Sequence, residues 1–270
     1  MSYGFKTVVR DLLPVRYQVP AKYWYGAFRG GLEEEMKFLR LLVKPHDRVI
    51  DVGGNRGIYA YNLWRLGATV EVFEPNPTCL RVLTAWAKGK PTVHLHPVAL
   101  SSHAGSANLH IPVDKLGVEH DASASIEHTG FEQSRDEMVP LRALDSFGFQ
   151  RVSLIKIDVE GHEYSVIEGA TATIAASRPA LLIEIEQRHS SRPIDEVFAK
   201  VLGLGYQGFF VARSKITRLE EFNLAAHQSM ANFNGTKGPY INNFLFLHRD
   251  RIAKGDYKLV INGGTNNLLK

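Results

Sequence analysis

The chain has 270 residues, 44% hydrophobic and 22% charged, a composition that indicates one large globular domain with extensions. Its single cysteine, Cys79, excludes an internal disulfide and a zinc site built from cysteines. The net charge of +4 resides in residues 1–30, which hold five basic side chains and one acidic one, so the rest of the chain is neutral. A neutral main body gives nucleic acid no basic surface, and we expect no nucleic-acid partner.

The basic arm, defined here as residues 1–30, is also rich in aromatic side chains. These residues are Tyr3, Phe5, Tyr17, Tyr23, Trp24, Tyr25 and Phe28. One interpretation is an extension that packs its rings on the core or on a second subunit, which would make the protein a homo-oligomer. The alternative is a surface that contacts a lipid headgroup, and so gives peripheral membrane contact, or a polyanionic substrate.

The hydropathy of the sequence bears on its location. No apolar run approaches the roughly 18 residues that a membrane-spanning helix needs. No signal-peptide pattern opens the chain. We therefore expect a cytoplasmic protein with no transmembrane segment.

Strands and helices alternate along the chain after the arm. The predicted strands are 48–53, 69–75, 92–100, 152–158, 180–186, 206–212 and 242–248, and the predicted helices are 58–67, 77–88, 162–177 and 193–203. This alternation predicts an α/β fold with a doubly wound, mostly parallel seven-stranded sheet. The sheet would occupy a domain over 31–250, followed by a tail over 251–270. Ligands of such sheets bind beyond the carboxyl ends of the strands.

The segment 101–140 interrupts the alternation of strands and helices. It contains a strand-like stretch, "SANLHIP", and a long polar loop that carries His120, Asp121, Ser123, Ser125 and His128. Long loops in compact domains are usually functional. We interpret this segment as an insertion or lid that covers a cofactor or helps to bind the acceptor.

A glycine turn, "DVGGNRG" at 51–57, follows the first strand. Gly53 and Gly57 are four positions apart, whereas the dinucleotide fingerprint G-x-G-x-x-G places its outer glycines five apart. The shorter pattern D-x-G-x-N-x-G, formed with Asp51 and Asn55, is typical of S-adenosyl-L-methionine (SAM) sites. A nicotinamide oxidoreductase is disfavoured by the same spacing. The alternative for the turn is a tight strand-to-helix connection with no ligand.

The ends of the second and third strands complete the predicted cofactor site. Glu74, followed by Pro75, ends the second strand, where a carboxylate can accept both ribose hydroxyls of an adenosine. Small residues at the end of the third strand leave room for a flat adenine ring, and these are Ala99, Leu100 and Ser101. The alternative for Glu74 is a solvated loop acid.

An acidic cluster in "IKIDVEGHE" ends the fourth strand. Asp158, Glu160, His162 and Glu163 fall within six residues. If the acceptor of a methyl group from SAM is a hydroxyl, the enzyme needs a group that positions the acceptor oxygen and removes its proton. We predict that these four residues and Glu186 are catalytic, with His162 as the general base. The alternative is that Glu160 and Glu163 stabilise the start of the following helix.

Two further charged residues, Lys156 and Glu184, lie inside strands that should be buried. If the strands are neighbours, the two side chains can pair with each other, which would make both structural. Asp158 with Glu184 or Glu186 could instead hold Mg²⁺ and polarise the acceptor hydroxyl. Because the paired Asp-Asn that usually completes such a site is absent, we favour a metal-free general base.

Several stretches together resemble the FkbM family of SAM-dependent methyltransferases. They are "VIDVGGNRGIYA", "VFEPNP", "VALSSHAG" and "LIKIDVEGHEYSVIEGA" followed by "PALLIEIE". The resemblance implies a Rossmann-like class I methyltransferase fold, SAM as cofactor and O-methylation of a sugar, glycan or natural-product hydroxyl. The alternatives are a methyltransferase with a nucleic-acid or protein acceptor and a SAM-binding module without catalysis.

Overall fold

The computed structural model describes residues 13–114, 117–127, 133–212, 215–233 and 239–262. The first twelve residues of the arm, the last eight of the tail and His128 lie outside these described residues. The described part forms an α/β fold with one large mixed sheet and one small sheet.

The large sheet has eight strands, so the expected number of seven is wrong. In the order in which they lie in the sheet, they are β10 (Lys215–Arg218), β9 (Tyr206–Ala212), β11 (Asn243–His248), β8 (Ala180–Glu184), β7 (Val152–Ile157), β1 (Arg48–Val52), β2 (Thr69–Phe73) and β3 (Val93–His96). The five from β8 to β3 are parallel, and β11 runs antiparallel between β8 and β9. The eighth strand, β10, forms a hairpin with β9 at the edge of the sheet.

The predicted third strand over 92–100 is broken at Pro97, which lacks the backbone N–H that a continuous ladder requires. Beyond it, β4 (Ala99–Leu100) pairs with β6 (Ser134–Arg142), which also pairs with β5 (Gly105–Pro112). The segment 101–140 therefore contributes two long strands to a small sheet beside the main one. The strand β6 was not predicted.

Helices cover both faces of the large sheet, as a doubly wound fold requires. The longer ones are α1 (Val15–Arg29), α3 (Ile58–Arg65), α4 (Pro77–Ala87), α5 (Glu163–Glu168), α6 (Thr171–Ser177) and α7 (Ile194–Gly203). The remaining ones are α2 (Leu39–Leu42), α8 (Leu224–His227), α9 (Met230–Phe233), α10 (Arg249–Ala253) and α11 (Lys258–Asn262). One apolar cluster lies under α1, α3 and α4, and a second lies under α5, α6 and α7.

The predicted helix over 162–177 is two helices, with Gly169 between them. A Cβ atom on Gly169 would lie 2.0 Å from the carbonyl oxygen of Ser101. The chain needs glycine here because its backbone packs directly on the end of β4. This contact joins the small sheet to the residues that follow β7.

The described part of the basic arm is the helix α1, which packs on α3 and α4. Val19 is fully buried in this contact, and the hydroxyl of Tyr23 donates to Asn62 Oδ1 at 3.1 Å. No helix in the described ranges is long and apolar enough to cross a membrane.

Candidate functional site

A cavity of about 610 Å³, its open mouth included, lies at the carboxyl ends of β1, β2 and β7. Nine of the predicted site residues line it: Gly53, Asn55, Glu74, Pro75, Ala99, Leu100, Asp158, Glu160 and His162. Five others do not: Asp51, Gly57, Ser101, Glu163 and Glu186. The rest of the wall comes from strand ends and from the loop 117–127.

The glycine turn approaches the end of β7 very closely. Gly53 has a φ of 77°, and a Cβ atom there would lie 1.8 Å from the carbonyl oxygen of Asp158. The N–H groups of Gly53 and Gly54 both donate to the Phe73 carbonyl, which fixes the turn against β2. Only glycine satisfies both the close contact and the positive φ. The turn thus exposes backbone to the cavity, as a bound cofactor requires.

Gly57 has a packing role at the start of α3. Its φ is 78°, and a Cβ atom there would press on the side chains of Leu83 and Val19. The glycine therefore lets α1 and α4 pack close to the turn, and it lies behind the cavity wall.

Glu74 is buried at the end of β2, where it ties the turn to the start of α4. Its Oε2 accepts from the Asn55 N–H at 2.5 Å, and its Oε1 accepts from the Asn76 N–H at 2.8 Å. Burial raises the pKa of this carboxyl to about 7. A carboxylate has about four acceptor positions, so two remain for ribose hydroxyls.

Asp51 lies beneath the turn, fully buried among other charged groups. Its Oδ2 has no hydrogen-bond partner, and burial raises the pKa of the carboxyl to about 6. An unpartnered buried oxygen beside the turn is an unused acceptor. Asp51 lies behind the cavity wall, whereas the turn at Gly53 and Asn55 and the carboxylate of Glu74 line the cavity and fit the polar groups of SAM.

Lys156 pairs with Asp158 rather than with Glu184. Its Nζ lies 3.0 Å from Asp158 Oδ2 and 4.7 Å from the centre of the Tyr59 ring. Burial alone would lower the pKa of Lys156, but neighbouring carboxylates, Asp158 foremost, outweigh burial and raise it. Glu184 instead accepts from Asn242 Nδ2 at 2.7 Å. The expected pairing of Lys156 with Glu184 is therefore corrected.

Glu160 lines the cavity with a φ of 51°, in the left-handed region that few non-glycine residues adopt. Burial, with Asp158, Glu186 and Glu163 nearby, raises the pKa of its carboxyl to about 9. His189 Nε2 lies 3.2 Å from Glu160 Oε2, although the angle is not that of a hydrogen bond. This rise favours the protonated form of Glu160, which can donate a hydrogen bond into the cavity.

His162 is held from both sides of its ring. Nδ1 lies 2.6 Å from Glu127 Oε1, and Nε2 lies 3.0 Å from Ser101 Oγ. The hydrogen bond to His162 lowers the pKa of Glu127 and keeps it ionised. Because an ionised carboxylate only accepts, Nδ1 carries the proton and Nε2 is free to accept one.

Two predicted catalytic acids lie away from the cavity. Glu163 is buried at the start of α5, where its Oε1 accepts from the Gly161 N–H at 2.9 Å, and burial raises its pKa to about 7. Glu186 pairs with Arg188 and accepts from the Tyr240 hydroxyl at 2.6 Å. Burial opposes these contacts, but they still lower the pKa of Glu186. Both placements match structural roles better than catalytic ones.

The loop 117–127 covers one side of the cavity and contacts the glycine turn. Asp121 pairs with Arg56 at 2.5 Å and accepts from Asn76 Nδ2 at 3.3 Å. Ser125 Oγ donates to the Glu160 carbonyl at 2.7 Å. The expected position of the segment over the strand ends agrees with these contacts. The sequence prediction missed Glu127, although its neighbours in the loop were named.

Cys79, in the first turn of α4, lies behind the turn. It is buried, with Sγ 3.9 Å from Asn55 Oδ1, and burial raises the pKa of its thiol well above the ordinary value. In the part of the chain that the structure describes, no group of three or more His, Cys, Asp or Glu side chains is arranged to hold a metal ion.

The comparison with protein families decides the assignment. The model of the methyltransferase FkbM domain matches residues 51–207, more than half of the chain. The chain belongs to the FkbM methyltransferase family. The family expected from the sequence motifs is confirmed, and SAM is the cofactor of this FkbM domain.

Two relatives of this FkbM chain are informative. Hexuronic acid methyltransferase AglP of Haloferax volcanii is 32% identical over 144 residues, which cover 52% of this chain and 58% of that protein. The chain thus spans less than two thirds of the length of this curated relative. The crystal structure of methyltransferase FkbM from Methylobacillus flagellatus superposes on this chain with a TM-score of 0.51 and 14% sequence identity. The matched region covers 90% of this chain and 57% of the Methylobacillus chain. At that identity, the likeness shows the fold alone.

Proposed function

We propose that the protein is a SAM-dependent O-methyltransferase that acts on a hydroxyl of a sugar or glycan. The observation that carries this proposal is the imidazole of His162, held by Glu127 in the same cavity as the glycine turn and Glu74. A base and its orienting carboxylate at the mouth of a cofactor site is the arrangement that deprotonation of an alcohol needs.

The choice of a sugar acceptor rests on the relative that acts on a hexuronic acid. The cavity wall agrees with a polyhydroxylated acceptor, because Asp158, Glu160 and His162 offer both hydrogen-bond acceptors and a donor. A carboxylate-bearing sugar would meet Glu160 in its neutral form, since burial raises the pKa of Glu160 to about 9.

When bound, SAM would supply its methyl group to the acceptor oxygen and leave as S-adenosylhomocysteine. Gly53 and Asn55 would hold its methionine part, and Glu74 would accept from its ribose hydroxyls. His162 takes the proton of the acceptor hydroxyl at Nε2 as the oxygen attacks. Glu127 holds the proton on Nδ1 and stabilises the imidazolium that forms.

The Ser101 hydroxyl now fills the acceptor position at Nε2 of His162. In the reacting enzyme, the acceptor hydroxyl takes this place, or Ser101 passes the proton on to His162. Asp158, paired with Lys156, orients the acceptor oxygen. Glu160 donates a hydrogen bond and does not act as the base.

The test is transfer of labelled methyl from SAM to a panel of hexuronic acids, neutral sugars, glycans, small alcohols, RNA and protein. We expect the label to be incorporated at a sugar hydroxyl. The product should then be a methyl ether, which is stable to base, and not a methyl ester, which base hydrolyses. Label found only as a base-labile ester would refute O-methylation of a hydroxyl. Label found only in RNA or protein would refute the acceptor class.

Parallel reactions with and without EDTA test the metal-free preference. We expect equal rates, because His162 supplies the base and Lys156 already neutralises Asp158. Loss of turnover that Mg²⁺ restores would make the acids at the strand ends metal ligands instead.

A further inference from the structure

The helix α1 has one buried face and one exposed aromatic face. One face of the helix packs on the protein core, and it is formed by Val15, Val19, Tyr23 and Gly26. On the opposite side lies the aromatic stripe, defined as Tyr17, Trp24, Tyr25 and Phe28. At about 100° per residue, these four fall within roughly 100° of one another. Their exposed fractions are 49%, 52%, 49% and 90%, respectively.

Rings this exposed are unusual on one face of a helix. Trp24, Tyr25 and Phe28 are close together in the last turns of the helix, and Tyr17 lies two turns earlier on the same face. Such a cluster differs from scattered single residues, which would need no explanation. Trp24 is held in place by Tyr23 and by the Arg65 guanidinium, which lies 4.5 Å from the centre of its ring. The stripe is therefore an ordered surface.

The helices of this layer carry charge of a single sign, although the acids Glu33, Glu34 and Glu35 follow the end of α1. The helices α1, α3 and α4, which form one layer on the sheet, contain no acidic residue. Their basic residues are Arg16, Lys22, Arg29, Arg65 and Arg81, and all five are exposed. A stripe of aromatic rings bordered by cations is the composition of helices that lie in the headgroup region of anionic membranes.

We propose that this layer is a docking surface for an anionic phospholipid bilayer, with α1 lying parallel to the membrane plane. Trp and Tyr rings favour the membrane–water boundary, and Phe28 would enter the acyl region. The arginines would contact lipid phosphates. This proposal is independent of the acceptor, since the stripe contributes nothing to the cavity wall.

The other partners fit this surface less well. A second copy of the chain would bring two faces of the same positive sign together, which opposes association. Single-stranded nucleic acid binds in a basic groove that follows its backbone, whereas the stripe lies on a convex helix. A bilayer is flat, negative and apolar below its surface, so it complements all three properties.

The experiment is flotation of the full chain with two kinds of vesicles, phosphatidylcholine alone and phosphatidylcholine mixed with phosphatidylglycerol. We expect binding to the anionic vesicles that weakens as salt is raised, and little binding to the neutral ones. Phe28→Ser should lower the partition constant roughly tenfold. Arg29→Gln should lower it roughly fivefold.

Met138→Ser is the matched control, because Met138 is 65% exposed on β6, far from α1 in the fold. It should bind vesicles as the wild type does. Equal thermal unfolding of all variants shows that the fold is intact. Two further measurements test the other partners: sedimentation velocity for self-association, and binding to a single-stranded RNA oligonucleotide.

Several outcomes would overturn the proposal. One is equal binding to both kinds of vesicle, and another is no loss with Phe28→Ser. If the wild-type protein forms dimers that the Phe28→Ser substitution dissociates, and if it does not bind vesicles, the stripe is a subunit interface. Binding to the oligonucleotide alone would identify it as a nucleic-acid surface, and no binding to any partner would also refute the proposal.

Discussion

Glu127 Oε1 and His162 Nδ1 lie 2.6 Å apart, although 35 residues separate them in the sequence. The carboxylate belongs to the loop 117–127, and the imidazole precedes the helix α5. The loop therefore has two roles at once, since it covers the cavity and fixes the proton on the histidine. Orientation of the proposed base depends on the loop being in place.

Replacing Glu127 by Gln should reduce kcat by roughly 10-fold or more. Replacing His162 by Ala should reduce kcat by roughly 10²–10⁴-fold. Glu127→Gln removes the negative charge that stabilises the imidazolium, so the pH–rate profile should be lower at every pH. Steady-state kinetics across pH measure both effects, and SAM affinity should stay unchanged in both variants.

Glu137→Gln is the control for this experiment, because Glu137 is a half-buried acid of the same segment that pairs with Arg135. It should leave the profile as it is. A His162→Ala enzyme with near-full activity, beside an inactive Glu160→Gln, would transfer the role of base to Glu160.

Glu74→Ala should weaken SAM binding by roughly 1–3 kcal/mol, because the ribose hydroxyls lose their acceptor and two backbone N–H groups lose theirs. Isothermal titration calorimetry gives the affinity. Glu71→Gln is the control, since Glu71 is a buried acid of the same strand that pairs with Arg48 and His96 away from the cavity. Unchanged SAM affinity in Glu74→Ala would remove the ribose assignment.

Gly53→Ala should destabilise the fold by more than the roughly 1 kcal/mol that a positive φ alone costs. The added methyl group would collide with the carbonyl oxygen of Asp158. This oxygen belongs to the backbone, so it cannot move away by a change of side-chain rotamer. Gly148→Ala separates the two effects, because Gly148 has a φ of 64° and no atom within 4 Å of a Cβ atom. Urea unfolding of both variants measures the difference, and equal losses would contradict the close contact.

Glu163→Gln should change how stability depends on pH. The pKa of Glu163 is about 7 in the folded chain against an ordinary 4.5, so the folded state binds the proton more tightly. This stabilisation is complete below about pH 4.5 and is lost as pH rises through 7. Gln mimics the protonated acid and keeps the acceptor for the Gly161 N–H.

The variant should therefore gain stability relative to the wild type as pH rises from about 4.5 to 7, by about 3 kcal/mol above pH 7. Thermal unfolding at several pH values tests this expectation. A constant difference between the two proteins across pH would mean that Glu163 does not titrate in that range.

Periodicity and turn residues predicted the parallel strands, most of the helices and the residues of the turn at 51–57, because each depends on local sequence. The break at Pro97 was visible in the sequence and was overlooked. The close contact of Gly169 with the Ser101 carbonyl was not visible, since it depends on a neighbour 68 positions away in the chain.

The same contrast holds for the site: residues marked by the local sequence could be predicted, and contacts between residues distant in the sequence could not. The predicted residues at strand ends line the cavity, because the carboxyl ends of parallel strands meet at one edge. Partners could not be predicted in this way. Lys156 was matched with Glu184, but its nearest acid is Asp158, two residues along the same strand end. Glu127 was missed because nothing in its loop marks which acid reaches the histidine.

The burial of Cys79 has a practical consequence. Thiol reagents react with exposed thiolates, and this sulfur is shielded from solvent and holds its proton firmly. The natural chain thus has no competing reactive sulfur, so a cysteine introduced at one surface position could carry a dye without background labelling. A fluorophore at position 123 would report ligand binding beside the loop 117–127, and one at position 28 would report contact with a bilayer.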